Sequence, residues 1–164
     1  MYLARSLFTL RSSVGRPAWA RAYSAEGGDA LKFSLTMPHD ALMHNREVKA
    51  VHIPAIDGEL SILAGSVPTV TELNAGTVAV ENDDGSTERY FVAPGFALKS
   101  DDGNLLVSVP EACKVEDLDP TSVESGLAKW QQEYDAASED EKKAEALIGV
   151  EVHKAMKYAI DSSK

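Results

Sequence analysis

The apolar residues of this chain change their spacing once, near Pro110, and that change limits what the chain can fold into. Before it, apolar and polar residues alternate in short runs: Lys32-Phe33-Ser34-Leu35-Thr36-Met37, Val48-Lys49-Ala50-Val51-His52-Ile53, Thr77-Val78-Ala79-Val80-Glu81, Arg89-Tyr90-Phe91-Val92 and Asn104-Leu105-Leu106-Val107-Ser108-Val109. A period of two is that of a β-strand with one buried face. Asp57-Gly58, Asp84-Gly85 and Asp102-Gly103 punctuate these runs. Asp-Gly between β-rich runs signals a hairpin, because Gly adopts positive φ without a Cβ clash. Short strands joined this way make an antiparallel sandwich or barrel rather than βαβ units.

After Pro110 the period becomes helical. Asp119-Pro120 supplies an N-cap and a proline at the first helical position. Val123, Leu127, Trp130 and Tyr134 then recur at steps of four, three and four. Ser138 and Glu141 have the spacing of a capping box for a second helix. Its expected apolar face is Ala144, Leu147, Ile148, Val152, Ala155, Met156 and Ala159. Only Asp135, Ala136 and Ala137 separate the two patterns, so the helices are antiparallel neighbours. The expected fold class is mixed β + α: an N-terminal antiparallel β-sandwich over 31–115, then a C-terminal antiparallel α-helical hairpin over 119–160. Val123, Leu127, Trp130 and Tyr134, with Ile148, Val152 and Met156, are expected to pack the hairpin.

Charge separates a leader from the body. Residues 1–23 hold four Arg and no acid; the remaining 141 residues carry 12 basic and 26 acidic groups, a net −14. Leu3, Leu7, Leu10 and Val14 fall on one face of a helix, with Arg5 and Arg16 away from it. That is the cationic amphipathic pattern of an organellar transit peptide, without the long apolar core of a secretory signal; the mitochondrial kind is the expected one, and a plastid leader, usually longer and richer in hydroxyl residues, is the minor alternative. Arg21-Ala22-Tyr23 before Ser24 places the expected cut after residue 23, and residues 24–30, SAEGGDA, read as a flexible mature terminus. A body this acidic is a poor nucleic-acid binder. No segment has the roughly 20 apolar residues that span a bilayer.

Catalytic chemistry is hard to find. His39, His44, His52 and His153 are the only histidines, and none has carboxylate or thiol neighbours at metal-ligand spacing. Cys113 is the single cysteine and reads as a small apolar residue at the junction of the two units. The paired aspartates lie in glycine turns, which explain them better than acid–base work does. The phosphate-loop, dinucleotide and nucleophile-elbow motifs are absent. No catalytic residue, metal or cofactor is expected. The residue pattern leaves two readings open: a domain that works by contact, and a mitochondrial matrix enzyme or small-ligand-binding β-sandwich.

One segment is unusual. Asp57 to Thr69 reads as two tight turns around an apolar loop that ends in Pro68. Gly58, Glu59, Leu60, Ile62, Leu63, Gly65, Pro68, Leu73 and Gly76 stand at the spacing of a family pattern, G-E-[LF]-G-I-L-P-G-H-x-P then x-x-L-x-x-G. The segment resembles the small rotor subunit family of F-type ATP synthases, called delta in mitochondria and epsilon in bacteria and plastids. Tyr90 to Phe96 and the acidic junction Val115-Glu116-Asp117-Leu118-Asp119 are similar to further family stretches. The likeness covers about 31–160. Ser61, Ala64 and Ser66 replace the usual Gly, Pro and His. Ser122 stands where some bacterial members carry the Arg linked to ATP binding.

The resemblance implies a non-catalytic subunit of the central stalk. It would couple rotation of the proton-driven c-ring to the γ subunit for ATP synthesis. Its implied partners are γ, the c-ring and the small mitochondrial epsilon subunit. Its implied place is peripheral, on the matrix side of the mitochondrial inner membrane. Glu59, Leu60 and Ser66 are the residues implied for a ring-facing loop.

Overall fold

The computed structural model describes residues 30–163. The transit-peptide reading of residues 1–23 and the first six residues of the expected flexible stretch lie outside the described residues. Ten strands come first: β1 (Leu31–Thr36), β2 (Ala41–Val48), β3 (Ala50–Ala55), β4 (Gly58–Leu63), β5 (Thr69–Leu73), β6 (Gly76–Glu81), β7 (Thr87–Val92), β8 (Gly95–Lys99), β9 (Asn104–Ser108) and β10 (Ala112–Lys114). A single 3₁₀ turn (Val115–Asp117) leads to α1 (Pro120–Ala136) and α2 (Asp140–Ser162).

The strands hydrogen-bond in the order β10-β7-β6-β3-β5-β8-β9-β1-β2, with β4 added to β3. The path curls on itself: the Arg46 guanidinium of β2 reaches the Glu88 carboxylate of β7 at 2.6 Å. Three Asp-Gly turns close the β3–β4, β6–β7 and β8–β9 hairpins, with φ of 126° at Gly58 and 83° at both Gly85 and Gly103. One pairing departs from the antiparallel rule. β1 runs parallel to β9 over five register pairs, from Lys32 opposite Asn104 to Thr36 opposite Ser108. Parallel neighbours need a long connection, and β1 and β9 are separated by most of the sandwich.

Inside, Phe33, Leu31 and Leu35 of β1 meet Ile53, Leu73, Leu105 and Val107, all buried to within 1% of full exclusion from solvent. Fully burying a residue of this kind contributes roughly 1.5–3 kcal/mol. The segment expected to be an apolar loop is mostly strand. β4 and β5 occupy it, and only 64–68 remains a loop. Alternating Glu59, Ser61 and Leu63 outward with Leu60 and Ile62 inward is a strand pattern, masked in the sequence by its flanking glycines.

Asp119 caps α1 by accepting from the Thr121 and Ser122 amides at 3.3 and 3.0 Å. Pro120 follows at the first helical position. Hydrogen bonds from Ser122 hold the Asp119 carboxyl below its ordinary range. The expected capping box on α2 does not form. Glu139 is the cap residue and makes no side-chain cap bond. Ser138 lies one residue too early for its hydroxyl to reach the third helical amide, and Asp140 and Glu141 instead place negative charge at the first turn.

The helices cross closely at two glycines. The His153 ring fills the space a Cβ would take at Gly126, and the Trp130 ring fills the space at Gly149. The His153 Nδ1 lies 2.8 Å from the Gly149 carbonyl. Lys157 meets Glu124 at 3.1 Å, and the Lys143 ammonium sits 5.2 Å from the Tyr134 ring centroid. These pairs make the hairpin antiparallel.

The packing face of α2 differs from the expected one. Ala146, Gly149 and His153 form the stripe toward α1, beside Trp130 and Gly126. Val152, Ala155, Met156 and Ala159 pack instead on Phe91, Cys113, Val115 and Leu118, fixing α2 to the sandwich. Ile148, expected in the hairpin, is 61% exposed, and Leu147 is exposed too. Apolar residues occupy more than half the circumference of α2, so its period fits several faces. The small residues decide between them, because only Ala146 and Gly149 let the Trp130 ring approach. On α1, Val123 is buried while Leu127, Trp130 and Tyr134 are half-buried.

Candidate contact surfaces

The outer face of β5, β8 and β9 is apolar. Cross-strand register places Val70 opposite Leu98, and Leu98 opposite Leu106, in one row. Val70 is 71% exposed, and Phe96, on the next outward row, is 61% exposed. β8 turns its large residues outward and buries Ala97 and Lys99. The Lys99 ammonium, 2% exposed as a residue, donates to the Ser100 carbonyl at 2.9 Å. A strand that exposes Phe and Leu while burying Ala and Lys is inverted relative to its own hydrophobicity. Its register is set by β5 and β9, whose inward residues Leu73, Leu105 and Val107 anchor the core. Contiguous exposed apolar rows of this kind mark interaction surfaces. Sequence reasoning missed this one, because alternation shows two faces without saying which is inside.

Glu59, Leu60 and Ser66 are not brought together in one loop. Glu59 pairs opposite Pro54 and Leu63 opposite Ala50, at the two ends of β4. Four residues of strand separate these ends by roughly 13 Å. Leu60 packs against the sandwich core. Glu59 is exposed at the helix-proximal end and lines a recess against α2. Ser66 lies in the 64–68 loop, where its hydroxyl accepts from the Leu63 amide at 2.9 Å and its own amide donates to the Leu63 carbonyl at 3.0 Å. That loop exposes Val67 beside the exposed Leu63.

Ser61, where the family usually has Gly, takes part in a polar ladder across β4, β3 and β6. The His52 ring contacts Ser61 Oγ at 2.7 Å and Glu81 Oε1 at 3.2 Å. The bonds from His52 and Lys49 lower the Glu81 carboxyl from its ordinary value. On the seam between β2 and β7, the hydrogen bond from Arg46, then that from Tyr90, lowers Glu88 to about 2. Burial, reinforced by Glu88, pushes Tyr90 up to about 12. Burial likewise raises the Cys113 thiol, which suits an inert packing residue at the junction. These shifts belong to structural ion pairs and hydrogen bonds on the sandwich wall.

Residues 30–113 match the ATP synthase delta/epsilon chain β-sandwich domain. The chain belongs to the ATP synthase delta/epsilon family. Its relatives are mitochondrial delta subunits. It is 38% identical over 152 residues to the mitochondrial ATP synthase subunit delta of Pichia angusta, covering 93% of this chain and 92% of that one. It is 31% identical over 153 residues to the mitochondrial ATP synthase F(1) complex subunit delta of Dictyostelium discoideum, covering 92% and 90%. Its fold matches a chain in the Euglena gracilis mitochondrial ATP synthase OSCP/F1/c-ring structure with a TM-score of 0.74 at 20% identity, covering 93% of this chain and 99% of that one. Among the described residues of this delta/epsilon chain, no helix is long and apolar enough to cross a membrane.

Proposed function

We propose that this chain is a central-stalk rotor subunit of the mitochondrial ATP synthase. It works by contact and supplies no catalytic residue. It couples the turning c-ring to the γ subunit, beside the small mitochondrial epsilon subunit. It sits peripherally on the matrix side of the inner membrane. The observation that carries this reading is the inverted strand β8: its exposed Phe96 and Leu98, in a row with Val70 and Leu106, give a stiff sandwich a second apolar face. A folded monomer gains nothing from that face, whereas a subunit clamped into an assembly buries it. The 64–68 loop, with Ser66 pinned and Val67 exposed beside Leu63 at the end of β4, serves as the ring-facing tip, and Glu59 does not belong to it.

Native electrophoresis of mitochondrial membranes tests the reading. The chain is expected to migrate with a large membrane complex. Leu98→Asp, placed on a solvent-exposed residue, leaves the isolated chain folded and removes it from that complex. Migration of the wild-type chain only as a small soluble protein refutes the proposal.

A further inference from the structure

The Asp-Gly steps of the three hairpin turns are not equivalent. At Asp84 the carboxylate is held: Oδ1 accepts from the Ser86 hydroxyl at 2.6 Å and from the Ser86 amide at 2.8 Å. These bonds, the hydroxyl's first, lower the Asp84 carboxyl from its ordinary value. The Gly85 amide is engaged too, donating to the Asn82 carbonyl at 3.1 Å. At Asp102, Asn104 holds both oxygens, Oδ1 through its amide at 3.3 Å and Oδ2 through its side-chain nitrogen at 2.7 Å. Gly103 is buried, and its carbonyl accepts from the Lys32 amide at 3.0 Å. Asp57 has none of these restraints. Its carboxylate is exposed and makes no hydrogen bond or ion pair among the described residues. Gly58 is exposed as well, and a Cβ built on it would meet nothing within 4 Å. A carboxyl able to rotate therefore precedes a backbone nitrogen that no side chain shields.

We propose that Asp57-Gly58 is a modification site, where isoaspartate forms spontaneously in the folded chain while the other two Asp-Gly steps are protected. The reaction needs no enzyme, metal or oxidant. The Gly58 nitrogen attacks Asp57 Cγ, the N–H proton and the carboxyl hydroxyl leave as water, and a five-membered succinimide closes. Water then adds at one of the two ring carbonyls. Addition at the side-chain carbonyl restores Asp57. Addition at the main-chain carbonyl breaks the original C–N bond and leaves the chain running through Cβ, as isoaspartate. The composition of the chain is unchanged.

Two costs separate the sites. The hydroxyl leaves only from a protonated carboxyl, so an acid held ionised by hydrogen bonds reacts more slowly. A bonded carboxylate must also give up its partners to turn onto the amide, and losing one charge-assisted bond slows closure by about tenfold. Asp84 and Asp102 bear the second cost and Asp57 does not. The fold accommodates the product. Ala55 opposite Gly58 is the last rung of the β3–β4 ladder, so the extra backbone carbon falls in the turn and not in the strands. The new α-carboxylate stands there too, at the end of the sandwich where Gly58 and Glu59 line a recess with Ala155 and Tyr158 of α2.

Ageing the purified full chain in neutral buffer tests this. Electron-transfer fragmentation of its peptides distinguishes isoaspartyl from aspartyl links at each site. A methyltransferase that esterifies isoaspartyl carboxylates with the methyl group of S-adenosylmethionine gives an independent count. Isoaspartate is expected at 57 in about tenfold excess over 84 and 102, the factor for one lost bond. In chain unfolded by urea the three sites are expected to converge, because the bonds that separate them are gone. Asp57→Glu keeps the charge but has to close a six-membered ring, and is expected to lose the methyl label at this turn while the strands keep their hydrogen-exchange protection. Ser86→Ala releases one bond on Asp84 and is expected to raise isoaspartate there by up to about tenfold. Equal accumulation at the three sites of the folded chain, or earlier accumulation at 84 or 102, overturns the proposal. So does a preference for 57 that persists in urea, which would assign it to local sequence, or isoaspartate at 57 in urea alone, which would show that the folded turn protects it.

Discussion

The sandwich and the hairpin solve the same packing problem in opposite ways. The sandwich encloses its own core: its eleven largest fully buried side chains, from Leu31 to Val107, are less than 2% exposed. The hairpin encloses almost nothing. On α1 only Val123 is buried, and the helices meet through two rings set over two glycines. Large apolar residues of α2, Ile148 and Tyr158 among them, stay in solvent. A unit with a filled core keeps its shape alone. A unit held by a seam and a small junction cluster around Phe91, Val115 and Ala159 depends on what lies beside it.

The comparison can be broken by substitution. The largest effect is expected at Phe33→Ala, which empties the centre of the sandwich and costs about 3–5 kcal/mol. Chemical denaturation is expected to show one cooperative loss. A change below about 1 kcal/mol would mean that the core does not depend on β1.

Gly149→Val is expected to cost about 1–3 kcal/mol, because its side chain must displace the Trp130 ring. Hydrogen exchange is expected to lose protection across α1 and α2 and keep it in the strands. Equal loss in the sandwich would erase the distinction between the two units.

A smaller effect separates the two helix starts. Asp119→Ala removes the acceptor for two amides and is expected to cost about 1 kcal/mol of helix stability. Ser138→Ala caps nothing and is expected to change the melting temperature negligibly. Equal shifts in thermal melts would restore the capping box at Ser138.

The finest test uses pH. Glu88 titrates at about 2 when folded, below its ordinary 4.5. A carboxyl lowered by folding adds stability that is complete above the ordinary value and is lost as pH falls from 4.5 towards 2. Arg46→Met removes the leading cause of the shift, so its urea midpoint is expected to fall less steeply over that range. An unchanged slope would show that the β2–β7 seam is not held by this pair.

How legible each part was follows from the same contrast. Asp57-Gly58, Asp84-Gly85 and Asp102-Gly103 located their turns because the backbone there needs positive φ, a local demand that only a few residues meet. Asp119-Pro120 located the start of α1 for a similar reason. The inward face of β8 was not legible, because Phe96-Ala97-Leu98-Lys99 alternates equally well either way and the decision belongs to β5 and β9. The face of α2 was not legible either. Ala146 and Gly149 attract no attention in a hydrophobic pattern, yet their smallness chooses the contact. Glu59 and Ser66 are close in sequence, but an extended strand carries neighbours apart as surely as a helix brings them round.

The parallel register of β1 and β9 gives the molecule a mechanical grain. Strands pointing the same way are sheared when the first is drawn back from its N-terminal end and the second forward towards the helices. Shear loads all five rungs from Lys32–Asn104 to Thr36–Ser108 at once, where an antiparallel hairpin pulled at its open end would unzip one rung at a time. A tug between Leu31 and the helical end therefore meets the sandwich along its stiff direction.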